Sequence, residues 1–515
     1  MGYLLGIDVG TSATKVLVCD GRGKVRATAA VEYPVYAPKP GWSEQEPADW
    51  WNATIEGIGA ACKKARVKPA RITGIGLSGQ MHGSVFLGDG VKPLRRALLW
   101  NDQRTVAECD EIERRAGGRK KLIGMVSNAA LTGFTAPKIL WVRNREPRIY
   151  EKIKHVLLPK DYVRLRLTGE YATEVSDAAG TLLLDIKKRA WHRELLSKLE
   201  IDPDLLPPCY ESVTVSGTVS RETAKLTGLT AGIPVVGGAG DQPAGAVGNG
   251  IVRSGIVSAT MGTSGVVFAH ADKPVPNADG TLQSFCHAVP DKWCVFGCML
   301  AAGGSLQWLR NSIFAEAVKQ ARSAKRDPGS VYAAMIREAG TAAPGCDGLF
   351  FLPYLTGERC PHPDPDARGG WIGLTVRHDR AAMIRAVLEG VTYGMRDQVE
   401  LMRSRGVKVT EVRAGGGGAA SAWWRQLQAD MFQAKVVTIN TQEGAAYGVA
   451  LLAATATGEF KSVEEACKAA ISITDTRNPV RKTATLYDRR YAVYTGLYRD
   501  LRARFGEIGA LGGAD

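Results

Sequence analysis

Two aspartates stand where a chain could put them to work on phosphate. Asp8 lies in "LLGIDVGTSATKVLV" (residues 4–18) and Asp241 in "GGAGDQPAG" (237–245). The first stretch has the small residues of a phosphate loop but not its wiring. A P-loop needs G-x-x-x-x-G-K-[ST] opening a helix. Here the apolar run Leu4–Ile7, the turn Asp8–Ser12 and the apolar run Val16–Val18 predict a strand–turn–strand hairpin. Turn amides and the hydroxyls of Thr11 and Ser12 are good phosphate donors. Lys15 is either a further phosphate partner or a solvent-facing residue of an alternating strand. An anion at Asp8 beside phosphates is unfavourable unless a cation such as Mg²⁺ stands between them. The alternative is an Asx-turn residue that stabilises the hairpin. Asp241 follows small residues at the end of an apolar strand. It suits a base that accepts a hydroxyl proton, or a cap on a helix beginning at "DQPAGAVG".

The hairpin recurs. "GIDVGTSATKVLV" (6–18) is matched by "SATMGTSGVVFA" (258–269), with Thr260 at the place of Asp8 and Gly262, Thr263 and Ser264 as the second G-T-S. A second pair, "GIPVVGGAG" (232–240) and "VTEVRAGGGG" (409–418), repeats a strand ending in glycines. Two matched halves are therefore expected, 1–249 and 250–515, holding a nucleotide between them.

The elements that must position these residues are legible too. Strands are predicted at 3–9, 15–19, 24–32, 72–79 and 232–241, and an amphipathic helix at 46–65. Buried strands alternating with helices indicate an α/β fold. The net charge is +14, from 66 Lys and Arg against 52 Asp and Glu. The basic residues are dispersed, and the dense run "RRAGGRKK" (114–121) lacks interleaved aromatics. It reads as a solvated helix end or loop, so no nucleic-acid partner is expected, while a positive surface would draw anionic substrates. No apolar run is long enough for a membrane span and no signal peptide is apparent. Ten scattered cysteines without a CxxC pair are read as reduced thiols of a cytoplasmic protein.

"GLSGQMHG" (76–83), "LLPKDYVRLRLTGEYATEVSDAAGTLLLD" (157–185), "GGAGDQPAGAVGNG" (237–250) and "FLPYLTGERCPHPDPDARGGWIGL" (351–374) resemble the FGGY carbohydrate kinases. The resemblance runs from residue 4 to about 455. It implies a two-lobed, actin-like and ribonuclease-H-like ATPase fold with a duplicated βββαβαβα core and an interlobe cleft. It also implies transfer of the ATP γ-phosphate to a ketopentose, with Mg²⁺. It assigns the base to Asp241 and the metal to Asp8 and Asp241.

The same resemblance puts Gln80, Met81, His82 and Gln242 at the sugar, with Trp100, Asn101 and Asp102 as weaker candidates. It puts Thr11, Ser12, Lys15, Gly262, Thr263, Ser264, Gly303, Gln307, Gly416, Gly417 and Ser421 at the nucleotide. Packing or turn geometry is the alternative for these glycines, and core packing or capping for 100–102. Two positions depart from the family pattern: Ala382, where a polar or acidic residue is usual, and Ala420, where a lysine is usual. Rival readings are a related kinase for another ketopentose, a pentitol or glycerol, an actin-like assembly protein, and a Rossmann dehydrogenase. The last lacks a proper G-x-G-x-x-G helix opening. The resemblance leaves the oligomeric state open, a homodimer included.

Overall fold

Apolar residues alternate between two buried faces in the first strands. In β1 (Tyr3–Val9), Leu5, Ile7 and Val9 face one core, while Leu4 faces the other. In β2 (Ala13–Asp20), Val16 and Val18 join the first core, and Leu17 and Cys19 the second. A sheet that buries both faces needs helices on both sides. A computed structural model, which describes residues 2–327 and 329–511, supplies them.

Two units form. Unit 1 comprises 1–253, 270–294 and 441–472, and unit 2 comprises 254–269, 295–440 and 473–515. The first change of unit falls at Arg253/Ser254, and two later segments return to unit 1.

Unit 1 is built on a seven-stranded sheet. It adds β3 (Val25–Glu32), β4 (Ile72–Gly79), β5 (Val215–Thr218), β6 (Pro234–Val236) and β7 (Ala239–Gly240). Their order is β5-β6-β4-β1-β2-β3, with β7 also paired to β4. One face is covered by α1 (Pro47–Ala65) and α2 (Pro159–Thr168), through residues such as Trp50, Ile58 and Val163. The helix Gly444–Ala456 covers the other. That helix also packs on α3 (Asp241–Gly248), so tightly that a Cβ at Gly448 would lie 1.9 Å from the carbonyl oxygen of Ala244.

Unit 2 is built on strands of a second seven-stranded sheet. Its strands within that unit are β8 (Gly255–Met261), β9 (Gly265–Ala271), β10 (Trp293–Met299), β11 (Val409–Gly416), β12 (Lys435–Ile439) and β13 (Ile473–Arg477). They run in the order β10-β9-β8-β11-β12-β13. This repeats the unit-1 order β3-β2-β1-β4-β6-β5 in space, although β13 follows β12 in the chain where β5 precedes β6, so the duplication read from the two hairpins is present in the sheet order.

The second repeat pair is corrected. The counterpart of β11 is β4, since each pairs parallel to the first strand of its hairpin, Met261↔Gly416 and Val9↔Gly79. Residues 234–236 correspond instead to 435–439. Glycines gather at the ends of several strands on this sheet edge, and that makes the wrong pair look alike.

The strand predicted at 232–241 breaks in two. Gly238 has φ +70°, and a Cβ there would lie 1.9 Å from the Leu77 carbonyl oxygen. Only glycine permits this kink, after which β7 rejoins β4 with Gly240 opposite Gly79. "RRAGGRKK" runs from the end of the helix Val106–Ala116 into the helix Arg119–Val126, as expected of a helix end. All ten cysteines are free thiols. Among the described residues no helix is long and apolar enough to cross a membrane.

Gly448→Val should cost roughly 1–3 kcal/mol or more, the usual penalty of overpacking a closed contact. Thermal unfolding checks it: the melting temperature should fall by several degrees, and an unchanged value would contradict the close approach.

Candidate active site

Asp8 and Asp241 reach the same edge of the unit-1 sheet from opposite sides of β4. Asp8 pairs in register with Ser78 of β4 and with Lys15 of β2. Ala239 of β7 is also opposite Ser78, from the other side, and Asp241 follows two residues later as the first residue of α3. Parallel strands end here, at the edge where open α/β sheets bind ligands.

The Asp8 atom Oδ1 is buried without a hydrogen-bond partner. Burial raises the pKa of Asp8, opposed by the nearby Ser78 hydroxyl and the Lys15 charge. Lys15 forms an ion pair with Glu443. It stands opposite Asp8 in the ladder, with its side chain one-third exposed.

Burial pushes Asp241 up to about 7, and the like charge of Asp8 adds to the rise; Gln242, through its N–H and its side chain, holds it back. The alternative reading of Asp241 as a helix cap does not hold. Gly240 occupies the N-cap, and no side chain caps that helix.

Beneath Asp241 lies a buried ionic cluster that sequence reasoning missed. Lys160 Nζ is 2.8 Å from Asp161, 3.1 Å from Asp177 and 3.5 Å from Glu174, all fully buried. Arg164 donates to the carbonyls of Val236 (2.7 Å) and Gly237 (2.6 Å) and to Ser216. Ser176 Oγ donates to Glu174 and accepts the N–H of Gly240 at 3.2 Å. Glu174 and Arg164 thus clamp the segment that ends in Asp241. Burial and the neighbouring carboxylates raise Asp177 well above its ordinary value, against the pull of Lys160. The five residues sit within the motif 157–185, but charge in a helix-like stretch carries no sign of burial.

The turn after β4 holds the expected sugar residues. Gln80 is buried, donates its N–H to Val9 and accepts the Thr11 hydroxyl at 3.1 Å. Met81 packs over Gly240, where a Cβ would come within 2.7 Å of its Cγ. His82 adopts φ +70°, and its Nδ1 lies 2.7 Å from the carbonyl of Gly180, so Nδ1 carries the proton. Its ring meets Phe134 edge-on at 4.9 Å. Lys138 is fully buried and donates to the carbonyls of His82 (2.9 Å) and Gly133 (2.6 Å), while burial pulls its pKa down to about 7.

Trp100 is 41% exposed and donates to Thr11 Oγ1 at 3.0 Å; Asn101 is exposed beside it. Asp102 is different. It is fully buried, and its oxygens accept from Ser43 N–H (2.7 Å) and the Arg104 guanidinium. That guanidinium stacks 3.6 Å over Trp42. Asp102 follows the packing alternative. Thr11 spends its hydroxyl proton on Gln80, whereas Ser12 is exposed on the turn.

Unit 2 carries its own cavity of about 980 Å³. Gly262 and Thr263, from the second hairpin, line it together with Gly303, Gln307, Gly417 and Ser421. Ser264 and Gly416 are not among the lining residues. The N–H groups of Gly303 and Gly304 bond back to Gly262 and Thr263, which fixes the hairpin to α4 (Gly303–Ser312). The Ser421 hydroxyl caps α6 (Ala422–Phe432) by accepting from Trp424. Ala420 lines the cavity, and the N–H of Ala382 is capped by Asp379.

The sequence reading missed the aromatic wall, Tyr332 and Trp423. It also missed Ile336 and Arg337, which with Tyr332 sit on one face of α5 (Ser330–Ala339). Helical spacing was the available signal, but it does not separate a cavity wall from a core face.

Known proteins match both units. Residues 3–248 match the FGGY family of carbohydrate kinases, N-terminal domain, and residues 257–457 its C-terminal domain. A xylulose kinase of Bacillus subtilis (strain 168) is 38% identical over 499 residues, covering 96% of this chain and 97% of that one. The structure of a ligand-bound xylulose kinase from Lactobacillus acidophilus is 28% identical with a TM-score of 0.89, over 99% of this chain and 100% of that one. A gluconate kinase from the same organism is also 28% identical, with a TM-score of 0.88 over 98% of this chain and 99% of that one. The chain belongs to the FGGY family of carbohydrate kinases.

Proposed function

We propose that the protein transfers the γ-phosphate of ATP to a hydroxyl of a ketopentose, D-xylulose to D-xylulose 5-phosphate. The observation that carries this reading is Asp241, a half-buried carboxylate that desolvation and the charge of Asp8 raise to about 7. A base poised near neutrality accepts a proton well and is ionised often enough to do so. The sugar hydroxyl lies against the Gln80–His82 turn and Gln242. As its oxygen attacks phosphorus, its proton passes to a carboxylate oxygen of Asp241; the new O–P bond forms as the bond to the ADP oxygen breaks. The N-terminal segment 1–249 supplies the sugar turn, the base and the first hairpin. The C-terminal segment 250–515 supplies the nucleotide cavity, whose aromatic wall and glycine edges suit a nucleoside and its phosphates. ATP dependence and ten free thiols suit a cytoplasmic enzyme.

Mg²⁺ fits the residues present. The unpartnered Asp8 Oδ1 is a hard oxygen donor left without a hydrogen bond. Among the described residues no cluster of three or more His, Cys, Asp or Glu side chains could hold a metal. One or two carboxylates plus substrate phosphates is the usual protein share of a Mg²⁺ site. Asp8, with Asp241 nearby, would hold the ion, which when bound neutralises charge on the transferring phosphoryl group.

The second reading changes the acceptor. The gluconate kinase is as similar in fold as the xylulose kinase, so fold likeness does not select the sugar. ADP release against a panel of D- and L-ketopentoses, pentitols, glycerol and gluconate tests this, with D-xylulose expected to give the highest kcat/KM.

Asp241→Asn should lower kcat by about 10²–10⁴-fold and leave sugar binding within a few-fold. The wild-type carboxylate binds its proton more tightly folded than unfolded, so ionising it costs stability as pH rises from 3.8 to about 7. The asparagine variant should therefore melt no lower than wild type at pH 8; normal turnover would overturn the assignment. In wild type, kcat/KM should rise with pH through about 7 and level off above it. Asp8→Ala should weaken Mg²⁺-dependent turnover far more than sugar affinity measured by calorimetry.

A further inference from the structure

Gln45 lies far from the motifs that carry the family resemblance, yet it touches both turns of the candidate site. It is 1% exposed and follows Glu44 in "GWSEQEP". Its Oε1 accepts from Trp50 Nε1 at 3.1 Å and from Gln80 Nε2 at 2.8 Å. Its Nε2 donates to the carbonyl of Thr11 at 2.6 Å and to that of Pro34 at 3.2 Å. All the hydrogen-bonding capacity of the amide is used.

The orientation of this ring is forced. An indole N–H only donates. Trp50 therefore fixes which end of Gln45 is oxygen. That oxygen requires the NH₂ end of Gln80 to face it, so Gln80 presents its Oε1 to Thr11. The Thr11 hydroxyl must then donate, and its lone pair accepts from the second indole, Trp100, at 3.0 Å. Two tryptophans, two glutamines and one threonine form a single array with one consistent direction. Flipping Gln45 would set donor against donor at Trp50, and flipping Gln80 would set acceptor against acceptor at Gln45. The array joins the 10–13 turn, the phosphate hairpin of unit 1, to the 79–83 turn, where the sugar is read.

We propose that Gln45 is a positioning residue that couples sugar binding to nucleotide binding. Sugar settling on the Gln80–His82 turn fixes Gln80, and Gln45 with Thr11 passes that order to the hairpin. Nucleotide then binds a turn that is already set, and by linkage the effect is reciprocal. ATP is held less tightly without an acceptor, which disfavours transfer to water. This inference rests on the sugar-kinase reading above.

Calorimetry on the full chain tests it: the affinity for Mg²⁺ and a non-hydrolysable ATP analogue is measured with and without saturating D-xylulose. If the activity panel selects another acceptor, that acceptor replaces D-xylulose in both arms. In wild type the sugar should tighten the analogue about fivefold or more, within the ordinary range of coupling. Gln45→Glu keeps the shape and the acceptor for Trp50 and Gln80, but turns an oxygen onto the Thr11 carbonyl. It should bring the ratio below about twofold and raise both KM values, with a smaller effect on kcat. A merely structural role would lower the melting temperature and the active fraction, leaving the ratio intact.

Thr11→Val, on a surface turn, removes the hydroxyl and should lose the coupling in the same way. It decides the matter if Gln45→Glu does not fold. A direct phosphate role for Thr11 would weaken the analogue in both arms and leave the ratio alone. A wild-type ratio of one, or a folded variant that keeps the wild-type ratio, overturns the proposal. A wild type that phosphorylates no sugar overturns the reading of function, whereas an active wild type with a ratio of one overturns this inference alone.

Discussion

Two half-buried carboxylates of like charge stand at one edge of one sheet. Most of unit 1 can be understood as what that arrangement requires. In water two such groups would both ionise near 4. Here burial raises both, and the charge of Asp8 adds to the rise at Asp241. Such an arrangement does not assemble itself, since each buried charge opposes folding. It persists because the backbone bearing the two residues is held by contacts that do not depend on them.

Those contacts are of two kinds. Asp8 rides on a central strand: β1 lies between β2 and β4, with the helix Gly444–Ala456 against the face it shares with Leu4. Asp241 rides on a kinked strand whose carbonyls are gripped by Arg164 and whose last N–H is gripped by Ser176. The buried ions around Lys160 fix this segment from below. They place charge where apolar packing would be the cheaper filling, and what they gain is a defined direction for the strand end. Stability is thus given up at the two carboxylates and recovered in their frame.

The sequence made part of this readable. Small residues between two apolar runs expose a hairpin, and the G-T-S recurrence exposes its copy, because hairpin and turn rules are local. Asp8 and Asp241 stand out in the sequence because an acid in a glycine-rich turn has few bland roles. Other parts resisted. Glycine clusters mark several strand ends on one edge, so matching them by sequence paired 232–240 with the wrong copy. Asp102, a weaker sugar candidate with packing or capping as its alternative, is locked to Ser43 and Arg104. Gln45, Ser176 and Lys160 carry no local signature at all. Their partners are 35, 64 or 17 residues away along the chain, or lie on another element. Tyr332 and Trp423 line the cavity with no sequence signal that separates a cavity wall from a core face.

The central claim is that Asp241 titrates near neutrality and that the charge of Asp8 contributes to this. Carbon-13 NMR of the aspartate carboxyls, followed across pH in wild type and in Asp8→Asn, observes it without turnover. The account predicts one aspartate signal, absent from Asp241→Asn, that titrates at about 7 and moves to lower pH when Asp8 is replaced. A signal for Asp241 that titrates at the ordinary 3.8, or one that Asp8→Asn leaves in place, would contradict it.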